Sequence, residues 1–518
     1  MVTKARGAGI IGIDGFPVTV ECSVRPAQGE ERFEIVGLPD TAVREARERV
    51  RCAMENSGFR LSGREILINL APANRKKEGS AFDLPILCAL LAAAGLLPIE
   101  AIGEENFFVG ELSLLGEVRP QNGVLSRTLA ARAAGAKRIF VPRENAAEAA
   151  VVSGIEVYGV PGFRALHDHL CGKQLLTREI FDEQACRERA AAAGSPDFAD
   201  VMGQLRARRA VEIAVAGGHN LLLIGPPGSG KSMIAKRIPG ILPPMSFEES
   251  LETTRVHSAA GETVDGLILH RPFRTPHHTV SAAGMIGGGS NPRPGEISLA
   301  DNGVLFLDEL PEFSPSVLET LRQPLEDGRV TVTRVAAKVT YPTNFMLVCA
   351  MNPCRCGFYG APGHTCVCRP DDIRRYLGRV SGPLLDRLDL QVEVPALAYA
   401  EMHGTPAESS AAIAGRAERA RLFAEERFRA AGDKPTQNAR MDSAALRKHC
   451  ALDEEGAALL GAAFDRLGLS ARGHDKILRI ARTIADLAGQ EKIGAMHIAE
   501  AIQYRTLDRK YWRGKENE

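Results

Sequence analysis

This sequence of 518 residues has few aromatic residues, no excess of either sign of charge and no long hydrophobic run. No apolar run approaches the roughly 20 residues that a membrane-spanning helix needs, and the N-terminal residues do not form a signal peptide. We therefore expect a cytoplasmic protein without a membrane partner. Lys plus Arg and Asp plus Glu both number 64, so no overall field attracts a polyanion. Nucleic acid would have to bind a local basic surface, such as the lining of a pore.

Disulfides are not expected in such a compartment, so the eleven cysteines should be reduced or bound to metal. Four of them form two C-x-C pairs: Cys354, Cys356, Cys366 and Cys368. Four thiolates are enough for a tetrahedral Zn²⁺ site. C-x-C is less typical of zinc sites than C-x-x-C, and His364 is an alternative to one of the cysteines as a ligand. Reduced, unliganded thiols are the other interpretation.

The stretch with the clearest chemistry is residues 220–232, which read NLLLIGPPGSGKS. Four apolar residues predict a short buried strand, and the glycines after it allow a tight loop whose N–H groups point at an anion. Lys231 would reach the β and γ phosphates, Ser232 would bind Mg²⁺, and the following helix offers its positive end. The pattern predicts a nucleoside triphosphate site formed by Gly225, Pro226, Pro227, Gly228, Ser229, Gly230, Lys231 and Ser232.

Two further buried strands end in polar residues. The apolar residues 304–307 precede Asp308 and Glu309, and we expect Asp308 to hold Mg²⁺ and Glu309 to orient and deprotonate the attacking water. Residues 345–350 precede Asn352, whose amide is suited to bind the γ-phosphate or the lytic water. An acidic helix cap is the alternative for the Asp-Glu pair alone. Together with the phosphate loop, these residues predict triphosphate hydrolysis.

The 77 residues that separate Lys231 from Asp308 are more than one helix and one strand require, so an insertion is expected. Residues 253–294, rich in Gly, Pro, His and Arg, are predicted to form a long loop or hairpin rather than core. The histidines in this segment lack the spacing of metal ligands.

Residues 329–342 alternate as two short strands that fold around residues 335–337. Arg334 and Lys338 lie near the tip of this predicted hairpin. A solvated polar tip is one interpretation, because loop tips are normally polar. In a ring the tip would point into the pore, and both residues would then face DNA.

Two arginines in the last third of the chain are candidates for phosphate contacts. Arg387 lies between acidic neighbours in SGPLLDRLDL, where it forms either a surface ion pair or a finger to the γ-phosphate of an adjacent subunit. The pattern is helical from residue 409 onward, and residues 469–489 carry an apolar face typical of a packed lid helix. Arg472 stands at the start of that helix, where it could contact phosphate.

The first 170 residues alternate short strands and helices, which predicts an α+β domain. Strands are predicted at residues 19–24, 32–36, 66–70 and 138–141, and helices at residues 40–57 and 82–94. The charged, Ala-rich residues 171–200 are predicted to be a linker or hinge helix.

Residues 71–93 and 128–145 resemble parts of the Lon protease catalytic domain, which implies a fold like that of ribosomal protein S5. Ser80 falls at the position of the catalytic serine of that family, whereas Leu125 occupies the position of its lysine. A serine without a neighbouring base is a weak nucleophile, so we expect no proteolysis. Lys76, Lys77 and Arg127 remain alternatives for the missing base.

The phosphate loop, FLDEL, MNPC, LLDRLDL and SARGHDKILRIARTIADL together resemble the magnesium-chelatase-like branch of AAA+ ATPases, in which residues 196–204 would line the adenine pocket. The whole chain resembles the ComM/YifB family. The resemblance implies an α/β fold with a Lon-like domain at residues 1–170, a linker at 171–200, an AAA+ core at 201–400 and a helical lid at 401–518.

The same resemblance implies ATP and Mg²⁺ as cofactors and a homo-oligomeric ring, expected to be a hexamer. It implies catalytic roles for Glu309, Asn352, Arg387 and Arg472, and pore positions for Arg334 and Lys338. The implied function is a branch-migration helicase that acts on single-stranded or branched DNA during natural transformation. A protein remodeller or protease, a magnesium-chelatase-type subunit and a non-enzymatic scaffold are the alternatives.

Overall fold

The computed structural model describes residues 2–27, 32–192, 194, 196–262, 266–289, 292–334, 338–361, 363–397 and 407–512. Two large sheets and a C-terminal group of helices account for most of this part of the chain. Among the described residues, none of the helices combines the length and the apolar content that a bilayer crossing requires.

An eight-stranded mixed sheet contains most of the N-terminal strands, in the order β10-β9-β8-β5-β1-β2-β4-β3, while β6 and β7 pair separately. The strands are β1 (Val2–Ile11), β2 (Asp14–Pro26), β3 (Arg32–Val36), β4 (Arg64–Ala71), β5 (Asn106–Phe108), β6 (Glu111–Leu112), β7 (Val118–Arg119), β8 (Arg138–Pro142), β9 (Glu156–Val160) and β10 (Arg178–Glu179). The strand β10 lies within the predicted linker yet pairs with β9, so this part of residues 171–200 belongs to the sheet.

The helices of this half are α1 (Thr41–Asn56), α2 (Asp83–Ala93), α3 (Val124–Ala133), α4 (Ala146–Ala150), α5 (Phe163–Leu170) and α6 (Glu183–Ala192). Asp40 caps α1 by accepting a hydrogen bond from Val43 N, which satisfies one of the free amides of the first turn. The sequence of α2 is almost entirely apolar, and ten of its residues are buried. This helix therefore lies in the core of the N-terminal half.

A second, parallel sheet has the strand order β12-β15-β18-β11-β19. The strands of this half are β11 (Leu221–Ile224), β12 (Phe273–Arg274), β13 (Gly287–Gly288), β14 (Arg293–Pro294), β15 (Val304–Leu307), β16 (Arg329–Thr333), β17 (Lys338–Pro342), β18 (Met346–Met351) and β19 (Leu390–Glu393). All residues of β11, β15 and β18 are buried. Continuous apolar strands of this kind are typical of parallel sheets covered on both faces.

The helices around the parallel sheet are α7 (Leu205–Gly217), α8 (Lys231–Arg237), α9 (Phe247–Ala260), α10 (Ala282–Ile286), α11 (Glu296–Leu299), α12 (Pro315–Thr320), α13 (Arg322–Asp327), α14 (Pro370–Leu377) and α15 (Gly382–Leu385). The prediction of a loop from residue 253 was wrong at its start, because α9 continues to Ala260 from a capping box of Ser246 and Glu249. Two short helices, α12 and α13, follow the Asp308-Glu309 pair.

The C-terminal helices are α16 (Ser410–Ala430), α17 (Ser443–His449), α18 (Glu454–Leu467), α19 (Ala471–Leu487) and α20 (Ala495–Gln503), followed by a π-helical turn at Asp508–Trp512. The apolar face predicted for residues 469–489 belongs to α19, where Ile477, Ile480 and Ile484 are buried. These side chains join one core with α7 and the parallel sheet.

The two halves of the chain meet at α9 and along strand β17 of the β16–β17 hairpin. Ile13, in the turn between β1 and β2, packs with Val339 and Tyr341, and Arg255 of α9 binds Asp14 at 2.9 Å. Gly12 has a φ of +63°, and a Cβ there would lie 2.1 Å from Val339 Cγ1. Glycine at this turn therefore permits the close approach of the N-terminal sheet to the hairpin.

Candidate nucleotide site

Three candidate segments follow the carboxyl ends of neighbouring parallel strands. The phosphate loop, residues 225–232, follows β11, Asp308 follows β15, and Asn352 comes one residue after the end of β18. The order β15-β18-β11 places β18 between the other two strands. The three segments therefore meet at one edge of the sheet, which is where ligands bind in open α/β folds.

The phosphate loop has the backbone of an anion cradle. Gly228 and Gly230 have φ values of +75° and +90°, in the left-handed region that favours glycine. Gly230 is the N-cap of α8, whose first residue is Lys231. The positive end of this helix therefore points toward the loop.

Lys231 lies inside the loop, where its ammonium donates to Gly225 O at 2.9 Å, to Pro226 O at 2.8 Å and to Asn352 Oδ1 at 3.2 Å. The side chain is buried, and this burial lowers the pKa of Lys231, although the charge of Asp308 acts in the opposite direction. A buried ammonium held by neutral oxygens favours an anionic ligand that would supply the opposite charge.

Ser232 and Asp308 provide oxygen donors for a cation. The Ser232 hydroxyl donates to Asp308 Oδ2 at 2.6 Å, so two oxygens of the kind that Mg²⁺ prefers lie side by side at the start of α8. These residues fit a magnesium ion bound next to the triphosphate.

Glu309 has a left-handed backbone with a φ of +52°, unusual for a residue that is not glycine. Such conformations are concentrated at functional sites. Its carboxylate is largely exposed and lies 3.7 Å from His278 Nδ1. This contact was not predicted, because His278 and Glu309 are 31 positions apart and only the folded insertion brings them together.

The segment predicted to line the adenine pocket, residues 196–204, packs against the phosphate loop. Gln204 donates from Nε2 to Ser229 O at 3.3 Å and to Pro395 O at 2.7 Å. Its backbone is left-handed with a φ of +51°. The buried Phe198 lies in the same segment.

Arg387 and Arg472 lie at the opposite edge of the sheet. The backbone oxygen of Arg387 accepts a hydrogen bond from Asn220, the residue before β11, whereas the phosphate loop begins after β11 at Gly225. At a strand rise of about 3.3 Å per residue, Asn220 and Gly225 are roughly 16 Å apart. The two arginines therefore face away from the phosphate loop of their own chain.

Both arginines line a cavity of about 460 Å³, which we call the amino-edge cavity. Its charged lining residues are Arg387, Arg440, Arg472, Lys476, Arg479, Glu326, Asp327, Asp386, Asp389 and Asp475. The side chain of Arg387 is only 10% exposed; it donates to Pro383 O at 2.7 Å and forms an ion pair with Glu326. Within the described part of the chain, Arg387 Nε has no hydrogen-bond partner. Arg472 is exposed.

Lys476 and Asp389 form an ion pair of 3.1 Å at the same cavity. Burial alone would raise the pKa of Asp389, but Lys476 and His219 hold it below its usual range. The Asp389 carboxylate also accepts a hydrogen bond from Asn220 N at 3.1 Å. This pair connects the lid helix α19 to the start of β11. It was not predicted, because Lys476 and Asp389 are distant in the chain.

The four clustered cysteines lie in the loop between β18 and α14. Their sulfur atoms all lie within 4.8 Å of one another, and Cys354 is buried. The arrangement is compatible with the predicted zinc site. His364, the alternative ligand, instead stacks on Phe358.

Arg334 and Lys338 are exposed where the β16–β17 hairpin approaches residues 335–337, which lie outside the described residues. A second small hairpin, β13–β14, lies beside it, because Tyr341 donates to Pro292 O at 2.7 Å. A Cβ on Gly288 would lie 3.4 Å from Arg334 Nη2. Two hairpins thus present basic side chains together, with Arg293 exposed on the second.

The residues considered for a protease dyad have other partners. Ser80 donates to Glu111, and Lys76 pairs with Glu78 at 2.7 Å. Lys77 is fully buried and donates to the carbonyl oxygens of Gly37 and Pro72. Arg127 is bound to the carbonyl oxygens of Ala8 and Asn122, and Leu125 is buried.

We therefore expect Ser80→Ala to leave every measured activity unchanged. The Ser80 hydroxyl is bound to Glu111, and Lys76, Lys77 and Arg127 have other partners, so none of them is in position to act as the amine base of a dyad. Casein digestion with and without ATP, followed by gel electrophoresis, measures this. ATP-dependent cleavage that disappears in Ser80→Ala would contradict the expectation.

Comparisons with known proteins agree with this geometry. The family description "Magnesium chelatase, subunit ChlI" matches residues 197–402, "Subunit ChlI of Mg-chelatase" matches residues 20–145, and "Magnesium chelatase, subunit ChlI C-terminal" matches residues 407–505. The chain is thus a member of the magnesium-chelatase-like AAA+ family, which indicates an ATPase that uses ATP and Mg²⁺ and is typically oligomeric.

Within that family the chain belongs to the ComM/YifB group. It is 42% identical to the uncharacterized protein YifB of Salmonella typhimurium and 41% identical to the competence protein ComM of Haemophilus influenzae, in each case over 96% of both chains. It is also 26% identical to Lon protease 2 of Bacillus subtilis over 171 residues, which are 30% of each chain. The predicted resemblances to the ComM/YifB family and to Lon proteases are thereby confirmed.

Proposed function

We propose that this protein is an ATP-hydrolysing ring motor that moves DNA, with each active site shared by two adjacent subunits. The observation that carries the proposal is the separation of the two half-sites across the sheet. Lys231, Ser232 and Asp308 lie at the carboxyl edge, whereas Arg387 and Arg472 lie at the amino edge. An arginine at the amino edge can meet a triphosphate only if another subunit presents it, which a head-to-tail ring provides.

The chemistry of such a shared site follows from the charges on each side. Lys231 would bind the β and γ phosphates, and the Ser232 and Asp308 oxygens would hold Mg²⁺, which neutralises phosphate charge when it is bound. Glu309 would accept the proton of the attacking water, and Asn352 would orient that water or the γ-phosphate. Arg387 of the neighbour would compensate the charge that develops as the bond breaks. Arg472 would contact the same phosphates.

Arg387 must leave Glu326 in order to serve the neighbouring site. The amino-edge cavity has as many acidic as basic lining residues, so the charges of its arginines are balanced within the same chain. Arg387 is paired with Glu326, while one of its nitrogens has no partner within the described residues. A phosphate oxygen would accept a hydrogen bond from that nitrogen. The guanidinium would then exchange its ion pair with the surface carboxylate of Glu326 for bidentate hydrogen bonds to phosphate.

DNA is the proposed substrate of the motor. The exposed Arg334 and Lys338 beside the β13–β14 hairpin form the kind of local basic surface that a chain without net charge needs for nucleic acid. In a hexameric ring these hairpins would line the pore. One relative is named as a competence protein. We infer that the motor drives branch migration on single-stranded or branched DNA during natural transformation.

The experiment that tests the proposal compares the ATPase rate of the purified protein in the presence of single-stranded DNA, branched DNA, an unfolded protein and a porphyrin. We expect DNA to stimulate the rate and branched DNA to be unwound or migrated. Stimulation by unfolded protein alone would favour a protein remodeller, and stimulation by porphyrin alone a chelatase subunit. Binding of ATP without turnover under every condition would favour a scaffold.

We expect the double variant Arg334→Ala, Lys338→Ala to bind DNA more weakly, because it loses contacts with the phosphates. The affinity should also depend less on salt, by about one unit of slope for each lost contact. Fluorescence anisotropy at several salt concentrations measures this. Arg329→Ala, which removes an exposed charge from the base of the same hairpin, is the control. An unchanged slope in the double variant, with the ATPase rate still stimulated by DNA, would contradict a pore role for the hairpin tip.

A further inference from the structure

The cysteine loop has the dimensions of a single tetrahedral metal site. The sulfur of Cys354 lies 3.3 Å from that of Cys356 and 3.7 Å from that of Cys366, and the sulfurs of Cys356 and Cys366 are 3.6 Å apart. A Zn–S bond of about 2.3 Å places the thiolates of a tetrahedral site about 3.8 Å apart. The separations among these three sulfurs are close to that value, and the Cys368 sulfur lies within 4.8 Å of all of them, so the four thiolates fit around one ion.

Other chemistries fit these distances less well. The sulfur atoms are farther apart than the roughly 2.05 Å of a disulfide, and all eleven cysteines are free. An iron–sulfur cluster distributes its cysteines over different irons and so separates their sulfurs, whereas all four here lie within 4.8 Å. Four thiolates also leave no open coordination position, which is typical of a structural zinc rather than a catalytic one.

The loop that carries the cysteines is part of the wall of the nucleotide site. Cys354 is two residues after Asn352, whose side chain accepts from Lys231. Gly357 has a φ of +86°, and a Cβ on it would lie 2.3 Å from Pro227 Cδ in the phosphate loop. The backbone of the cysteine loop therefore lies directly against the phosphate loop.

The described part of the loop is held by side-chain contacts and turn hydrogen bonds rather than by regular structure. In the part of residues 352–369 that the structure describes, no helix or strand is present. The cysteines pack at the edge of a core that includes Tyr376 and Tyr511. A segment of this length without regular structure loses much conformational entropy when it is ordered, and a metal that closes it offsets this loss.

We propose that Cys354, Cys356, Cys366 and Cys368 bind one Zn²⁺ ion, and that this ion holds the cysteine loop against the phosphate loop so that nucleotide binding depends on the metal. The second half of this inference rests on the proposed ATP site. The first half is independent of it, since metal content is measured without nucleotide.

The test begins with the metal content of the full-length protein, measured by inductively coupled plasma mass spectrometry. We expect one zinc per chain, released by a mercurial thiol reagent. The double variant Cys366→Ser, Cys368→Ser should lose the zinc and bind a fluorescent ATP analogue at least about tenfold more weakly. Cys52→Ser, which alters a partly buried cysteine outside the cluster, should retain both zinc and affinity.

Gly357→Ala distinguishes the contact between the two loops from metal binding. This variant should keep the zinc yet bind the ATP analogue more weakly, because the added Cβ crowds Pro227. It also guards against a double variant that fails to fold. Wild-type protein that contains no zinc and takes up none after refolding with zinc would overturn the metal site. If the zinc-free double variant or the Gly357→Ala variant binds the analogue like wild type, the proposal that the cysteine loop supports nucleotide binding is wrong. If wild type holds zinc but binds no nucleotide, the proposed ATPase fails instead, while the metal site stands.

Discussion

Arg387→Ala is expected to assemble and bind ATP like the wild-type protein, yet to hydrolyse it about 10³ to 10⁵ times more slowly, the range that a trans-acting arginine contributes in comparable enzymes. In the proposed shared site the guanidinium of the neighbouring subunit would compensate charge that exists only in the transition state, so its loss should lower the turnover rate rather than the affinity. Steady-state ATPase assays, nucleotide titrations and size-exclusion chromatography measure the three quantities.

Glu326→Gln is the matched control for this variant. It removes the carboxylate that pairs with Arg387 without touching the arginine, so turnover should be maintained or increased. A loss of turnover in Glu326→Gln as large as in Arg387→Ala would mean that the ion pair itself supports the fold, and a normal rate in Arg387→Ala would refute the finger role.

Glu309→Gln is expected to bind ATP and Mg²⁺ normally while the rate of hydrolysis falls about 10²- to 10⁴-fold, because an amide cannot take the proton of the attacking water. Single-turnover hydrolysis with excess protein isolates the chemical step. The variant should also hold its ring in the ATP-bound state for longer, which native mass spectrometry can follow.

Glu312→Gln provides the comparison for Glu309→Gln. Glu312 lies three residues further along, is also exposed, and binds Arg379 at 2.9 Å. We expect its replacement to have little effect, since exposed ion pairs contribute at most about 1 kcal/mol. Equal rates for Glu309→Gln and wild type would remove Glu309 from the catalytic group.

The cis half of the site was predictable because its signals are short-range. The phosphate loop, Asp308 and Asn352 each follow an apolar strand directly, and the carboxyl ends of parallel strands meet at one edge of a sheet. Sequence spacing alone therefore indicates which polar residues come together. Local periodicity, alternating in residues 329–342 and helical in residues 469–489, likewise identified the β16–β17 hairpin and the amphipathic face of α19.

The contacts that the sequence did not reveal are long-range. Arg387 and Glu326 are 61 residues apart, and nothing in SGPLLDRLDL indicates which carboxylate the arginine pairs with. The contact of His278 with Glu309 depends on the path of the insertion. The approach of Gly12 to Val339 joins the two halves of the chain through shape complementarity rather than a motif.

The fold was misjudged where local propensity and tertiary packing disagree. The strand β1 was not predicted, because its VTKARGAGII sequence mixes charged residues and glycines with apolar ones. It is nevertheless an interior strand of the N-terminal sheet, between β5 and β2. Its pairing with β2 across ten residue positions outweighs the weak strand propensity of glycine.

The most direct test of the shared active site is to mix two inactive proteins. Lys231→Ala lacks the cis half of the site and Arg387→Ala lacks the trans half, so each homogeneous ring should be silent. In randomly mixed rings, about a quarter of the interfaces combine an intact Lys231 with an intact Arg387 from the neighbour. We expect ATPase activity to reappear on mixing and reassembly. Mixtures that remain as inactive as the separate variants would contradict this expectation.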